Sequence, residues 1–168
     1  EGGCLLIAAN LINALAKALG SGVQLAPEPR QQQPAQVGAQ DVSNLVDAAV
    51  AKPLNPAQFS GDILGIGTVS GTKPPALGMR VRKSGRTTGY TEGIITLLNA
   101  TVNVAYGAKT ARFTGQVITE AMSQGGDSGS LIVDTTENRA VGLLFAGSTQ
   151  ATIFTPISTV LDALQINI

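Results

Sequence analysis

From Asp62 to Pro156 the chain is written in short apolar runs broken by glycine. "DILGIGTVSG", "GMRVRKSG", "YTEGIITLLNATVNVAYG", "KTARFTGQVIT", "GSLIVD", "RAVGLLFAGS" and "ATIFTP" succeed one another, several of them rich in β-branched residues and bounded by turn chemistry. Short strands at such regular spacing argue for a barrel or a sandwich. The end of the chain differs. Thr155-Pro156 reads as an N-cap followed by proline at the first helical position. Ile157, Val160, Leu161 and Leu164 then fall at i, i+3, i+4 and i+7, the pattern of an amphipathic closing helix. The expected architecture is all-β with a C-terminal α-helix.

Upstream the pattern is less regular. Residues 4–19, "CLLIAANLINALAKAL", suit a helix, or a short buried strand followed by a helical turn. Residues 20–40, with three prolines and several glutamines, read as a loop. "DVSNLVDAAVAKP" is a short apolar segment ending at Pro53.

Composition narrows the functional classes. At 168 residues the chain is long enough for one domain with a substantial core, and 13% charge with 20 glycines is a compact, loop-rich composition. The formal net charge is zero and no basic patch stands out, which argues against a nucleic-acid partner. "CLLIAANLINALA" is too short and too polar for a membrane span. Cys4 is the one cysteine and histidine is absent, so neither an intrachain disulfide nor a metal site is expected. "GDILGIG" and "SQGGDSG" are glycine-rich but lack the lysine and strand-to-helix context of a phosphate loop, and no cofactor is expected. A start at Glu1 points to processing or to an expression boundary. The compartment stays open between secreted and cytoplasmic.

One stretch carries chemistry. "MSQGGDSGSLIVD", residues 122–134, sets Gly-Asp-Ser-Gly between two strand-like runs. As structure alone, this is an ordinary tight turn. As chemistry, acyl transfer needs an exposed serine oxygen and two backbone N–H groups aimed where an oxyanion will form. Glycine ahead of the Asp-Ser pair permits the concave backbone this demands.

"SQGGDSGSLIVD" followed by "RAVGLLFAGS" resembles the chymotrypsin-like serine endopeptidases, and "GMRVRKSGRTTGYTEGIIT" resembles their bacterial branch. The resemblance covers residues 40–168 well and 4–20 loosely. It implies a double six-stranded β-barrel with the active site between the barrels. Residues 1–75 would form the first barrel, with its upstream strands in question, 76–155 the second, and 156–168 the closing helix. It implies Ser128 as nucleophile, with the N–H groups of Gly126 and Ser128 as the oxyanion hole. In "NLVDAAV" it makes Asp47 the orienting carboxylate; the plainer alternative is a strand-end aspartate capping a turn. Asp127 would support the loop from beneath. Met122 and Ser123 would lie near the base of a substrate pocket, with Phe145, Ala146 and Gly147 along one wall, unless these are simply core residues. With no carboxylate at the base, a small or apolar substrate side chain is expected, on a peptide or protein substrate.

The general base is missing. The family runs His, Asp, Ser, and aligning "IAANLI" without gaps sets Asn10 where the histidine belongs. An amide cannot accept and return a proton in the useful range, and serine without a base is a weak nucleophile. Three readings stay open: Asn10 is an inactivating substitution; the chain is a pseudoprotease that binds a peptide or partner without cutting; or the histidine lies on an upstream segment or second chain that completes the first barrel. Lys83 directly precedes Ser84, so strand alternation puts the two on opposite faces and argues against a Ser-Lys dyad. Arg80, Arg82, Lys83 and Arg86 read as a solvated face, and Asp62, Glu92 and Glu120 as surface charge.

Overall fold

The computed structural model describes residues 43–167. The segment 4–19 with Asn10, and the loop 20–40, lie outside the described residues. Among them, a short strand β1 (Ser43–Asn44) runs parallel to β6, and a single 3-10 turn (Pro56–Gln58) precedes a small hairpin of β2 (Asp62–Ile63) and β3 (Gly67–Thr68). Six longer strands follow: β4 (Arg80–Gly85), β5 (Gly89–Tyr106), β6 (Lys109–Glu120), β7 (Leu131–Asp134), β8 (Ala140–Gly147) and β9 (Ala151–Pro156). They fall on the apolar runs of the sequence, with Gly89 and Gly107 taking positive φ where the chain reverses.

These six strands are antiparallel in the order β6-β5-β4-β7-β8-β9, and β9 returns to pair with β6 through Val117↔Phe154 and Thr119↔Thr152. The sheet therefore closes on itself and leaves no free edge within the ring. Register breaks at Ile95/Leu97, Leu97/Ala100 and Ala100/Val102 bend the long β5 around the curve. Val81, Ile95, Val117, Met122, Ile132, Val141, Leu144 and Phe154 fill the interior.

The helix α1 (Ile157–Leu164) lays Ile157 and Val160 on Ala140, with Leu161 and Leu164 at the margin, as its spacing predicts. Its start differs from the sequence expectation. Thr155 gives no cap; it is buried in β9 and donates from Oγ1 to Gln116 Oε1 at 2.8 Å. The cap position is Pro156, without a side-chain bond. Barrel packing has claimed the hydroxyl.

Residues 45–77 form no closed barrel among the described residues, and they leave Leu45, Val50, Leu54, Phe59, Leu64 and Leu77 exposed. No helix among the described residues is long and apolar enough to cross a membrane.

Candidate active site

Lys83 is the residue that the sequence reading placed wrongly, and the site is built on it. In β4 the side chains alternate, so Val81 and Lys83 point into the barrel while Arg80 is exposed and pairs with Glu92 at 2.9 Å. The basic run is therefore not one solvated face. Lys83 is fully buried, and its Nζ meets the fully buried Asp127 Oδ2 at 3.3 Å. It also donates to Thr88 Oγ1 and to Gly89 O (3.0 Å). A buried ammonium is tolerable only with such a complete set of partners.

Asp127 sits in the loop between β6 and β7 and gathers the turn between β4 and β5. It accepts from the backbone N–H of Thr87 (2.7 Å), Thr88 (3.1 Å) and Gln124 (3.0 Å), and from Thr88 Oγ1 (2.7 Å). Burial pushes its carboxyl up, but the Thr88 hydroxyl and these three N–H donors outweigh it and hold the group well below the usual carboxylate range. There is no room to spare: a Cβ on Gly85 would stand 2.5 Å from Asp127 Oδ1. The expectation that Asp127 braces the loop from beneath matches this geometry.

The loop above it alternates in its backbone bonding. Asp127 N donates to Gln124 O at 3.0 Å and Gly129 N to Leu144 O at 2.7 Å. The N–H groups of Gly126 and Ser128, on either side of Asp127, have no acceptor among the described residues, and neither does that of Gly125. Gly126 has φ +102°, and a Cβ there would meet Thr87 Oγ1 at 2.4 Å and an Arg86 guanidinium nitrogen at 2.5 Å. Both facts require glycine. Ser128 is exposed, and its Oγ donates to Phe145 O at 3.3 Å.

Asp47 lies in an extended segment beside β6. Gln116 Nε2 donates to Leu45 O at 2.9 Å, and Val46 and Ala48 pack on the cluster beneath α1, so the exposed Asp47 faces the other way. Its partner is the Tyr106 hydroxyl, at 2.5 Å, from the end of β5. Burial and then this carboxylate push the Tyr106 phenol up to about 12. The Tyr106 ring contacts Phe113 (centroids 6.4 Å), and Phe113 contacts Phe145 (4.9 Å), whose carbonyl accepts from Ser128. No hydrogen bond joins Asp47 to Ser128 among the described residues; ring contacts run from Tyr106 through Phe113 to Phe145.

Beside the loop opens a cleft of about 690 Å³. Of the residues named from the sequence for a substrate pocket, Met122, Ser123 and Gly147 line this cleft and Phe145 and Ala146 do not. Phe145 is turned into the barrel wall against Phe113. The rest of the lining mixes the hydroxyls and amide of Thr88, Thr91, Gln124, Ser148 and Thr149 with Ala121 and Gly125. It holds no carboxylate but sets polar side chains among the apolar ones. Strand alternation alone does not reveal which loops meet across a barrel mouth, and this lining comes from three separate turns.

Among solved structures, the chain is similar to Cellulomonas bogoriensis chymotrypsin at 31% identity, covering 60% of this chain and 55% of that one with a TM-score of 0.52. It is similar to Thermobifida fusca protease A at 33% identity, covering 62% and 56%, TM-score 0.52. A Nocardiopsis protease matches at 28% identity over 58% and 52%, TM-score 0.50. The chain spans little more than half the length of these relatives. Its sequence also fits the family model described as Peptidase family S64 over residues 6–167, nearly its whole length. By this match this chain belongs to peptidase family S64 and carries the chymotrypsin-like serine protease fold.

Proposed function

We propose that the described residues hold the serine half of an endopeptidase site that lacks its own general base. Ser128 is the nucleophile, the N–H groups of Gly126 and Ser128 receive the oxyanion, and Asp47 is the carboxylate that would orient a base. The observation that supports this reading is the pair of N–H groups flanking Asp127, on Gly126 and Ser128, that find no acceptor among the described residues while the carboxylate between them is fully bonded. Preorganised donors of this kind are worth roughly 10²–10³ in rate where charge develops. The substrate is a peptide or protein. With no histidine among its 168 residues, the chain alone hydrolyses at no more than the residual rate of an incomplete triad.

A second reading has its own support. Six apolar side chains between 45 and 77 are exposed among the described residues, surface that a further segment or a second chain would cover. Such a partner would complete the first barrel and bring the base. Without one, the same site acts as a pseudoprotease that binds peptide and does not cut.

Fluorophosphonate labelling, located by mass spectrometry, tests these readings on the native chain beside Asn10→His. Labelling and peptide cleavage by the variant alone would mean that Asn10 stands at the base position. Labelling of neither would set catalysis aside for this chain and leave the binding role. Labelling of both would mean that another group activates Ser128, and the proposal of a missing base would fall.

A further inference from the structure

The hydroxyls of the cleft are ordered, and their order has a direction. Thr152 is fully buried beneath the cleft. Its Oγ1 already accepts from Met122 N at 3.0 Å. Its own proton has a single acceptor among the described residues, Ser123 Oγ, at 2.7 Å. A buried hydroxyl proton without an acceptor would carry the full desolvation penalty, so Thr152 donates and Ser123 accepts. The Ser123 proton is then left for whatever fills the cleft. Each hydroxyl in the chain from Met122 N–H to Thr152 to Ser123 polarises the next.

This favours one chemistry of occupant. An apolar side chain would offer the Ser123 donor no acceptor and leave it to water at the cleft mouth. An ammonium or guanidinium would find no carboxylate in the lining, and a carboxylate would find no cation to offset its lost hydration. An amide satisfies both halves. Its oxygen accepts from Ser123, and its NH₂ donates to the oxygens of Thr88, Thr91, Ser148 or Thr149 around the cleft.

We infer that the cleft selects a glutamine or asparagine side chain at the residue preceding the bond presented to Ser128. The inference rests on the peptide-site reading above and deepens it. It is independent of catalysis, because a product-like peptide places its terminal carboxylate at the Gly126 and Ser128 N–H groups with or without a base. A site built to hydrogen-bond a polar group discriminates by about 10⁴ or more when fully closed to water. This cleft is open, so about tenfold is expected.

The test is a calorimetric or NMR titration of the full chain with four peptides, acetyl-Ala-Ala-Pro-Xaa with a free carboxylate, where Xaa is Gln, Leu, Glu or Lys. The Gln peptide should bind about tenfold more tightly than the other three. In Ser123→Ala the Gln–Leu difference should shrink to within about twofold, and in Ser123→Thr, which keeps the donor, it should persist. Leu, Glu or Lys binding as well as Gln, or an unchanged difference in Ser123→Ala, would overturn the inference and leave the peptide site standing. Binding of none of the four would overturn the peptide site itself and the inference with it.

Discussion

Strand β7 is bracketed by two buried aspartates that use the same device to different ends. Asp134, at its last position, accepts from the N–H groups of Thr136 (3.1 Å), Glu137 (3.0 Å) and Arg139 (2.9 Å) and from Thr136 Oγ1 (2.5 Å). Asp127, ahead of the strand, accepts from three N–H groups and one threonine hydroxyl as well. In both, burial pushes the carboxyl up and hydrogen bonds, the threonine hydroxyl first, bring it well below the ordinary range. What separates them is reach. The backbone partners of Asp134 lie within five residues and close one turn, whereas those of Asp127 on Thr87 and Thr88 come from a hairpin 40 and 39 positions away. The first stabilises a local reversal; the second ties two loops together, with the N–H groups of Gly126 and Ser128 on either side of it left without an acceptor among the described residues. A buried, fully bonded aspartate is therefore no mark of a site. What the proposed site adds is the unpaired N–H groups beside it.

The sharpest way to separate the two is Asp127→Asn against Asp134→Asn. Removing one member of a buried pair costs about 3–5 kcal/mol, and Asp127→Asn should show that loss in urea unfolding because Lys83 is left charged and buried. Asp134→Asn, whose Lys73 partner is partly exposed, should cost clearly less. Only the Asp127 variant should also weaken peptide binding. Equal binding loss in the two variants would dissolve the distinction.

Gly126→Ala against Gly129→Ala comes next. Both positions have positive φ, but a Cβ at Gly126 collides with Thr87 and Arg86 whereas Gly129 has open space. Roughly 1–2 kcal/mol of left-handed strain applies to each; the excess at Gly126 should appear in thermal unfolding and in lost affinity at the cleft.

Acid titration gives a smaller effect. Both aspartates are depressed in the folded state, so the unfolded chain binds protons first. Their stabilisation is fully present above the unfolded value near pH ~3.9 and is lost as pH falls below it. Urea midpoints of the native chain should be flat from neutrality to about pH 5 and drop below about pH 4, and the drop should be shallower in Asp127→Asn. A midpoint rising on acidification would contradict the assignment.

The smallest effect belongs to Tyr106→Phe. Its hydroxyl bond to Asp47 is surface-exposed and should contribute about 0.5 kcal/mol. The Tyr106 phenol is raised to about 12, so that contribution holds below its ordinary value near 10 and fades as pH climbs through 12. Ultraviolet titration of the phenols in the native chain and the variant measures the shift.

Much of this was legible in the residues. Glycine-punctuated apolar runs placed β4 to β9, because each strand of a small barrel buries one face and needs a turn at each end. The 3.6-residue period placed α1. "GGDSGS" marked the loop, since the positive φ just before Asp-Ser, at Gly126, is one that glycine adopts readily. What stayed hidden depends on partners distant in sequence. Lys83 read as surface charge until its alternation with Val81 put it inside, and an inward lysine in a strand was itself the missed sign of a buried acid. Thr155 read as a helix cap until Gln116 claimed it. The hydroxyls that Thr88, Ser148 and Thr149 add to the cleft escaped notice because they come from turns distant in sequence from Met122 and Ser123.

The most direct test of the central claim is chemical rescue of the missing base. Hydrolysis of an activated peptide ester would be followed in the native chain and in Ser128→Ala, with free imidazole titrated into both. The account predicts a rate that rises with imidazole in the native chain, with the acyl group trapped on Ser128, and stays at background in Ser128→Ala. Equal imidazole dependence in the two proteins would mean that Ser128 is a turn residue and nothing more.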